Sequence, residues 1–153
     1  MIHPFRIRPF FLFAAMLLWN QVSGQSKNDS LLAVYRSGNA DATTFNDLIW
    51  AYVFNQPDSA IFYGNRGADW CQKHKEDSLL ASIHNRVGVA YDIKSMPDSA
   101  LFYYGFALEE ARFTGNRKTE GGALNNIGLI YWNMAESEKA IDHYIQSAEI
   151  FEE

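Results

Sequence analysis

The chain has 153 residues, 48% hydrophobic and 15% aromatic, enough apolar material for one packed domain. Its formal net charge is −5 and no basic stretch is long enough to follow a phosphate backbone, which argues against nucleic acid as a partner. Cys71 is the only cysteine, so no internal disulfide can form and the fold must hold by packing.

Residues 1–24 read as a secretory signal peptide. Arg6 and Arg8 stand without an acid in MIHPFRIRPF, the apolar run Phe10 to Trp19 follows, and Val22 and Gly24 are small residues before Gln25. A membrane anchor fits less well, because ten apolar residues rise only ~15 Å as a helix, about half a bilayer core. The mature chain is therefore expected to be exported, periplasmic or secreted, and losing Arg6 and Arg8 takes its charge to −7. Residues 25–40 form a linker, Ser26 to Asn28, and a short helix in DSLLAVYRSG that ends at Gly38.

Residues 41–153 divide into copies at about 41–77, 78–117 and 118–153. In the second copy, Leu79, Leu80, Ile83, Val87 and Tyr91 follow a three-to-four spacing that predicts a helix. A turn at Lys94–Met96 ends it, and Pro97 opens the next helix, where its missing N–H leaves no bond unmade. Ala100, Leu101, Tyr104, Ala107, Leu108 and Ala111 form the stripe of that helix, and Gly115 is suited to a left-handed cap. The third copy repeats the pattern in ALNNIGLIYWNMAESEKAIDHYIQSA, with Ser137 as the expected N-cap of its second helix.

The copies align at forty residues. Gly88, Tyr91, Ala100 and Tyr104 fall on Gly128, Tyr131, Ala140 and Tyr144. PDSAIFY at Pro57 matches PDSALFY at Pro97 with the same shift, and LIWAY at Leu48 matches VGVAY at Val87 with one residue less. A glycine inside a helix costs about 1 kcal/mol relative to alanine, so its recurrence calls for a packing reason. The spacing predicts that Gly88 and Gly128 face Ala100 and Ala140 across a close helix crossing, with Tyr91 and Tyr131 filling the groove beside it. In the first copy Ile49 stands for the glycine and Gly64 for the second tyrosine, a swap that conserves volume.

These columns resemble the tetratricopeptide repeat: apolar residue then glycine, tyrosine three on, alanine twelve after the glycine, an aromatic four later. The period is longer than the usual ~34 residues, which is similar to an extended subclass. The resemblance implies an all-α fold, an α-solenoid of about three stacked antiparallel helix hairpins preceded by the short N-terminal helix. It also implies a concave face lined by the first helix of each hairpin, where a protein or peptide binds. By position that face presents Asn46, Trp50 and Val53, then Asn85, Val89 and Asp92, then Asn125, Leu129, Trp132 and Asn133. The asparagine column suits backbone recognition, since an amide both donates and accepts. Its competing role is to cap or bridge neighbouring repeats. Trp132 is the expected anchor. Arg86 is the one cation near the face, with Asp92 expected to oppose it, so capture of a terminal carboxylate is not carried over.

Catalysis and cofactors find no support. Cys71 and His74 share a helix face but supply only two metal ligands, and His84 and His143 lie in separate helices. Cys71 reads as a small buried hydrophobe and the histidines as surface residues. Glu109 and Glu110 are adjacent and point apart on a helix. No nucleophile and base are paired. The expected function is a non-catalytic scaffold for a protein or peptide, with itself as one candidate partner. The sequence stops at IFEE without the turn that closes the second copy, and so reads as truncated. The layout resembles exported repeat regions of Bacteroidetes-type signalling proteins, which makes a sensory or dimerising region of a longer membrane-bound protein the alternative.

Overall fold

A computed structural model describes residues 27–77 and 79–152. The expected signal peptide lies outside the described residues. Among the described residues the regular structure is all helix, with no strand. The helices are α1 (27–36), α2 (Ala42–Tyr52), α3 (Pro57–His74), α4 (Leu80–Ile93), α5 (Pro97–Thr114), α6 (Arg117–Asn133) and α7 (Ser137–Glu152). Lys27 and Asn28, expected in a linker, already belong to α1. None of these helices is long and apolar enough to cross a membrane.

Local chemistry sets the ends. Asp41 caps α2: its carboxylate accepts from the Thr44 backbone N–H at 2.7 Å and from the Thr44 hydroxyl at 2.6 Å. Pro57 and Pro97 open α3 and α5, as their fixed φ favours. Gly115 ends α5 with φ 71°, the left-handed cap expected of it. Lys75, Ser95 and Ala135 end their helices in the same left-handed region, at φ 56°, 57° and 60°, without the freedom of glycine. Ser137 is the first residue of α7 rather than the residue before it.

The helices pair as hairpins α2–α3, α4–α5 and α6–α7, and each hairpin lays its second helix on the first helix of the next. The first helices α2, α4 and α6 also touch in sequence, whereas the backbones of α3, α5 and α7 do not approach one another. The stack is therefore an α-solenoid with a tight inner layer and a splayed outer one. Its core runs through both layers, with Leu48, Ile49, Val53, Ile83, Val87, Tyr104, Leu124 and Ile130 fully buried or nearly so. α1 closes the near end through Tyr35, set edge-on to Phe45 and Tyr63. Glu120, buried between hairpins, accepts from Arg112 Nε at 3.1 Å and from Arg117 at 3.0 Å, which ties the end of α5 to the start of α6.

The repeated glycines make room for a ring. A β-carbon on Gly88 would stand 2.6 Å from two ring carbons of Tyr104, and one on Gly128 would stand 2.9 Å from two of Tyr144. Ala100 is not the nearest neighbour of Gly88. At Gly128 the carbonyl oxygen of Ala140 is the next contact, at 3.2 Å. At Gly128 the close approach to Ala140 is present, and at both glycines the nearest atoms belong to a tyrosine ring, because the aromatic one turn beyond the alanine reaches back along its helix. Tyr91 and Tyr131 are half-buried, with Tyr91 stacked on Tyr103 at 5.2 Å. In the first hairpin two side chains share the space beside Gly64. Ile49 Cδ1 lies 3.7 Å from where a β-carbon on Gly64 would be, and Val87 of the next hairpin presses into the same space.

Candidate functional site

The inner face is built by the sides of α2, α4 and α6 that point away from the second helices. Repeat register places Trp50, Val89 and Leu129 in one column and Asn46, Asn85 and Asn125 in another. Trp50 is 55% exposed and Trp132 58% exposed, and Leu129 is also open to solvent. Phe54 and Ile93 add to this exposed apolar row. Phe54 stands edge-on to Trp50 at 5.3 Å.

Other expected face residues are used elsewhere. Asn46 Oδ1 accepts from the Ser82 hydroxyl at 3.2 Å, and Asn85 Oδ1 accepts from Asn126 Nδ2 at 3.2 Å. Both amides therefore bridge one first helix to the next, the competing role named above. Asn125 keeps an exposed side chain. Val53 is fully buried and offers no surface, while Val89 is half-buried and packs against both core clusters. Asp92 and Asn133 both line a cavity of about 280 Å³, with Ser95, Pro97, Ile130 and Met134. Burial holds the Asp92 carboxyl above its ordinary range.

Arg86 matters more than the sequence suggested. Its guanidinium lies 5.0 Å from the centre of the Trp50 ring and donates to the Asn46 carbonyl at 3.1 Å. Burial pulls its pKa down, and Asp47, not Asp92, is the acid that pulls it back. The signal was available one position away: Asp47 and Arg86 share a repeat column.

A second concavity lies on the opposite side, where α3 and α5 splay apart over α4. It encloses about 410 Å³, with His84 among its lining residues and Asn65, Asp69, Phe102, Phe106 and Glu110 beside it. His84 Nδ1 meets Glu110 Oε2 at 2.8 Å, and since an ionised carboxylate only accepts, Nδ1 carries the proton. Tyr103 donates to Asn65 Oδ1 at 3.3 Å across the splay. Sequence reasoning set His84 and Glu110 aside as surface residues. They are twenty-six positions apart, and only the α4–α5 hairpin brings them together.

Cys71 and His74 are separated by orientation. Cys71 is fully buried and its thiol is pushed up to about 11, mainly by burial, with Glu76, Asp77 and Glu110 adding to it. His74 is exposed, stacked on Trp70 at 4.0 Å with Nδ1 at 2.8 Å from the Trp70 carbonyl oxygen. No three His, Cys, Asp or Glu side chains converge on a metal-sized space among the described residues. No family model matches the chain, and no curated protein matches it either.

Proposed function

We propose that this chain is a scaffold of tetratricopeptide type, exported, whose inner face binds an extended or helical segment of another protein. The observation that carries the reading is the exposed row Trp50, Leu129 and Trp132, with Arg86 fixed beside it, on the layer formed by successive first helices. Exposed indoles on a concave, pre-formed surface are the residues that most often anchor interfaces. Asn46 and Asn85 hold the layer in register, so the face is rigid before a partner arrives. The leader-like residues 1–24 support export.

Screening a peptide array with the chain tests this. Binding retained by Phe102→Ala but lost by Trp50→Ala and Trp132→Ala, with melting unchanged, is the expected result. Equal loss in all three, or in none, removes the inner face from the reading.

A second reading has one observation in its favour. Ile141, Ile145 and Phe151 leave an exposed apolar row on α7, whereas Leu101, the counterpart of Ile141, packs against a core that includes Ile127 and Ile130 of the next hairpin. That suits an input region of a longer signalling protein that continues the stack or pairs with a second copy. Sequencing the coding DNA beyond codon 153 separates the two: a stop codon there removes the second reading.

A further inference from the structure

We propose that the outer cleft between α3 and α5 accepts an arginine side chain presented by a partner polypeptide. This site is on the opposite face from the proposed peptide groove and does not depend on it.

The cleft has the chemistry of a cation acceptor. Its lining includes two carboxylates, Asp69 and Glu110, the rings of Phe102, Tyr103 and Phe106, and no lysine or arginine. Glu110 spends one oxygen on His84 Nδ1 and keeps the other for a second donor. His84 in turn packs against Phe106 at 5.6 Å and Tyr103 at 5.9 Å, so acid, imidazole and rings form one wall.

The repeat shows what is missing there. In the first hairpin Phe62 carries a cation from its own helix, with Arg66 Cζ 5.5 Å from the ring centre. Forty residues on, the counterparts are Phe102 and Phe106. The cation has been replaced by a second phenyl ring, 4.7 Å from the first, and both rings are exposed. On the inner face Trp50 is likewise covered by the chain's own Arg86. The aromatic pair at the outer cleft therefore lacks the internal arginine that the chain supplies elsewhere, while it gains two acids in the cleft wall. A guanidinium fits better than an ammonium, because its plane stacks on a ring while its fork addresses carboxylates. A free amino acid fits worse than a peptide-borne side chain, because its own carboxylate meets Asp69 and Glu110.

The test is an amide-shift titration of the ¹⁵N-labelled chain with N-acetyl-arginine-methylamide, its citrulline isostere, and free L-arginine. Saturable shifts at the cleft residues around Asn65, His84 and Phe106 are expected with the blocked arginine, about tenfold weaker with citrulline, which loses the charge-assisted bonds. Asp69→Asn, Glu110→Gln and Phe106→Ala should each weaken binding, and Trp132→Ala should leave it unchanged. Asp69 and Phe106 are exposed, so their variants report even if Glu110→Gln unsettles the hairpin. Equal response to citrulline, tighter binding of free arginine, shifts that map to Trp50 and Trp132 instead, or no saturable shift up to the solubility limit overturns the proposal.

Discussion

The ring of Tyr104 rests against the bare backbone of Gly88, where a β-carbon would come within 2.6 Å of two ring carbons. Tyr104 is 1% exposed, so its ring has nowhere to retreat. Gly88→Ala should therefore destabilise the stack by a net ~1–2 kcal/mol, overpacking outweighing the ~1 kcal/mol that alanine gains in a helix. Gly128→Ala, with 2.9 Å to Tyr144 and a half-buried ring, should cost less. Trimming the ring by Tyr104→Leu should make Gly88→Ala far less harmful than in the parent chain, a non-additivity readable from urea midpoints. A parent-like midpoint for Gly88→Ala alone would discard the slot.

Gly105 is the contrasting case. It lies inside α5 with no atom within 4 Å of a built β-carbon. Nothing there needs the glycine, so Gly105→Ala should raise stability by ~0.5–1 kcal/mol through helix propensity alone. A lowered denaturant midpoint would show that the site is more crowded than its geometry indicates.

Ser95 and Ala135 occupy one repeat column and both hold φ near +60°, at 57° and 60°. A side chain in that region costs roughly 1–2 kcal/mol that glycine does not. Ala135→Gly and Ser95→Gly should each raise thermal stability, by most of ~1 kcal/mol after the larger chain entropy of unfolded glycine is subtracted. Lys75→Gly should do the same, since its counterpart Gly115 already has the glycine. Differential scanning calorimetry on the three variants reads this directly.

Asp41 gives a pH signature. Its hydrogen bonds from the Thr44 hydroxyl and backbone hold its carboxyl below the usual range. A depressed folded-state pKa means stability that is present above the unfolded pKa and lost as pH falls through the folded one. Asp41→Ala should cost ~1 kcal/mol at neutral pH, the usual loss of an N-cap. The gap between parent and variant should close on acidification through the carboxylate range. A gap that stays constant through and below that range would mean that the carboxylate's charge plays no part in the cap.

The solenoid was legible because its determinants are local and periodic. Pro57 and Pro97 mark helix starts, Gly115 marks a stop, and the forty-residue column of glycine and tyrosine requires hairpins that pack alike. That a tyrosine ring would lie nearest the glycine was not legible, because spacing along a helix does not say how far a side chain leans. Tyr104 reaches its slot by pointing back along α5. The asparagine column admitted two uses, and only distances to Ser82 and Asn126 select the bridging one. Trp50, Leu129 and Trp132 are exposed to solvent. Arg86 on Trp50 and His84 on Glu110 escaped notice because each pair joins helices from different parts of the chain.

A curved beam flexes about the layer that is bonded most tightly. In this stack that neutral layer is the row α2, α4, α6, stitched by amides, while α3, α5 and α7 stand clear of one another. On the outside, the Tyr103–Asn65 bond spans the gap between α3 and α5. A change in the spacing of α3 and α5 would therefore meet less packed backbone than the same change within the row α2, α4, α6.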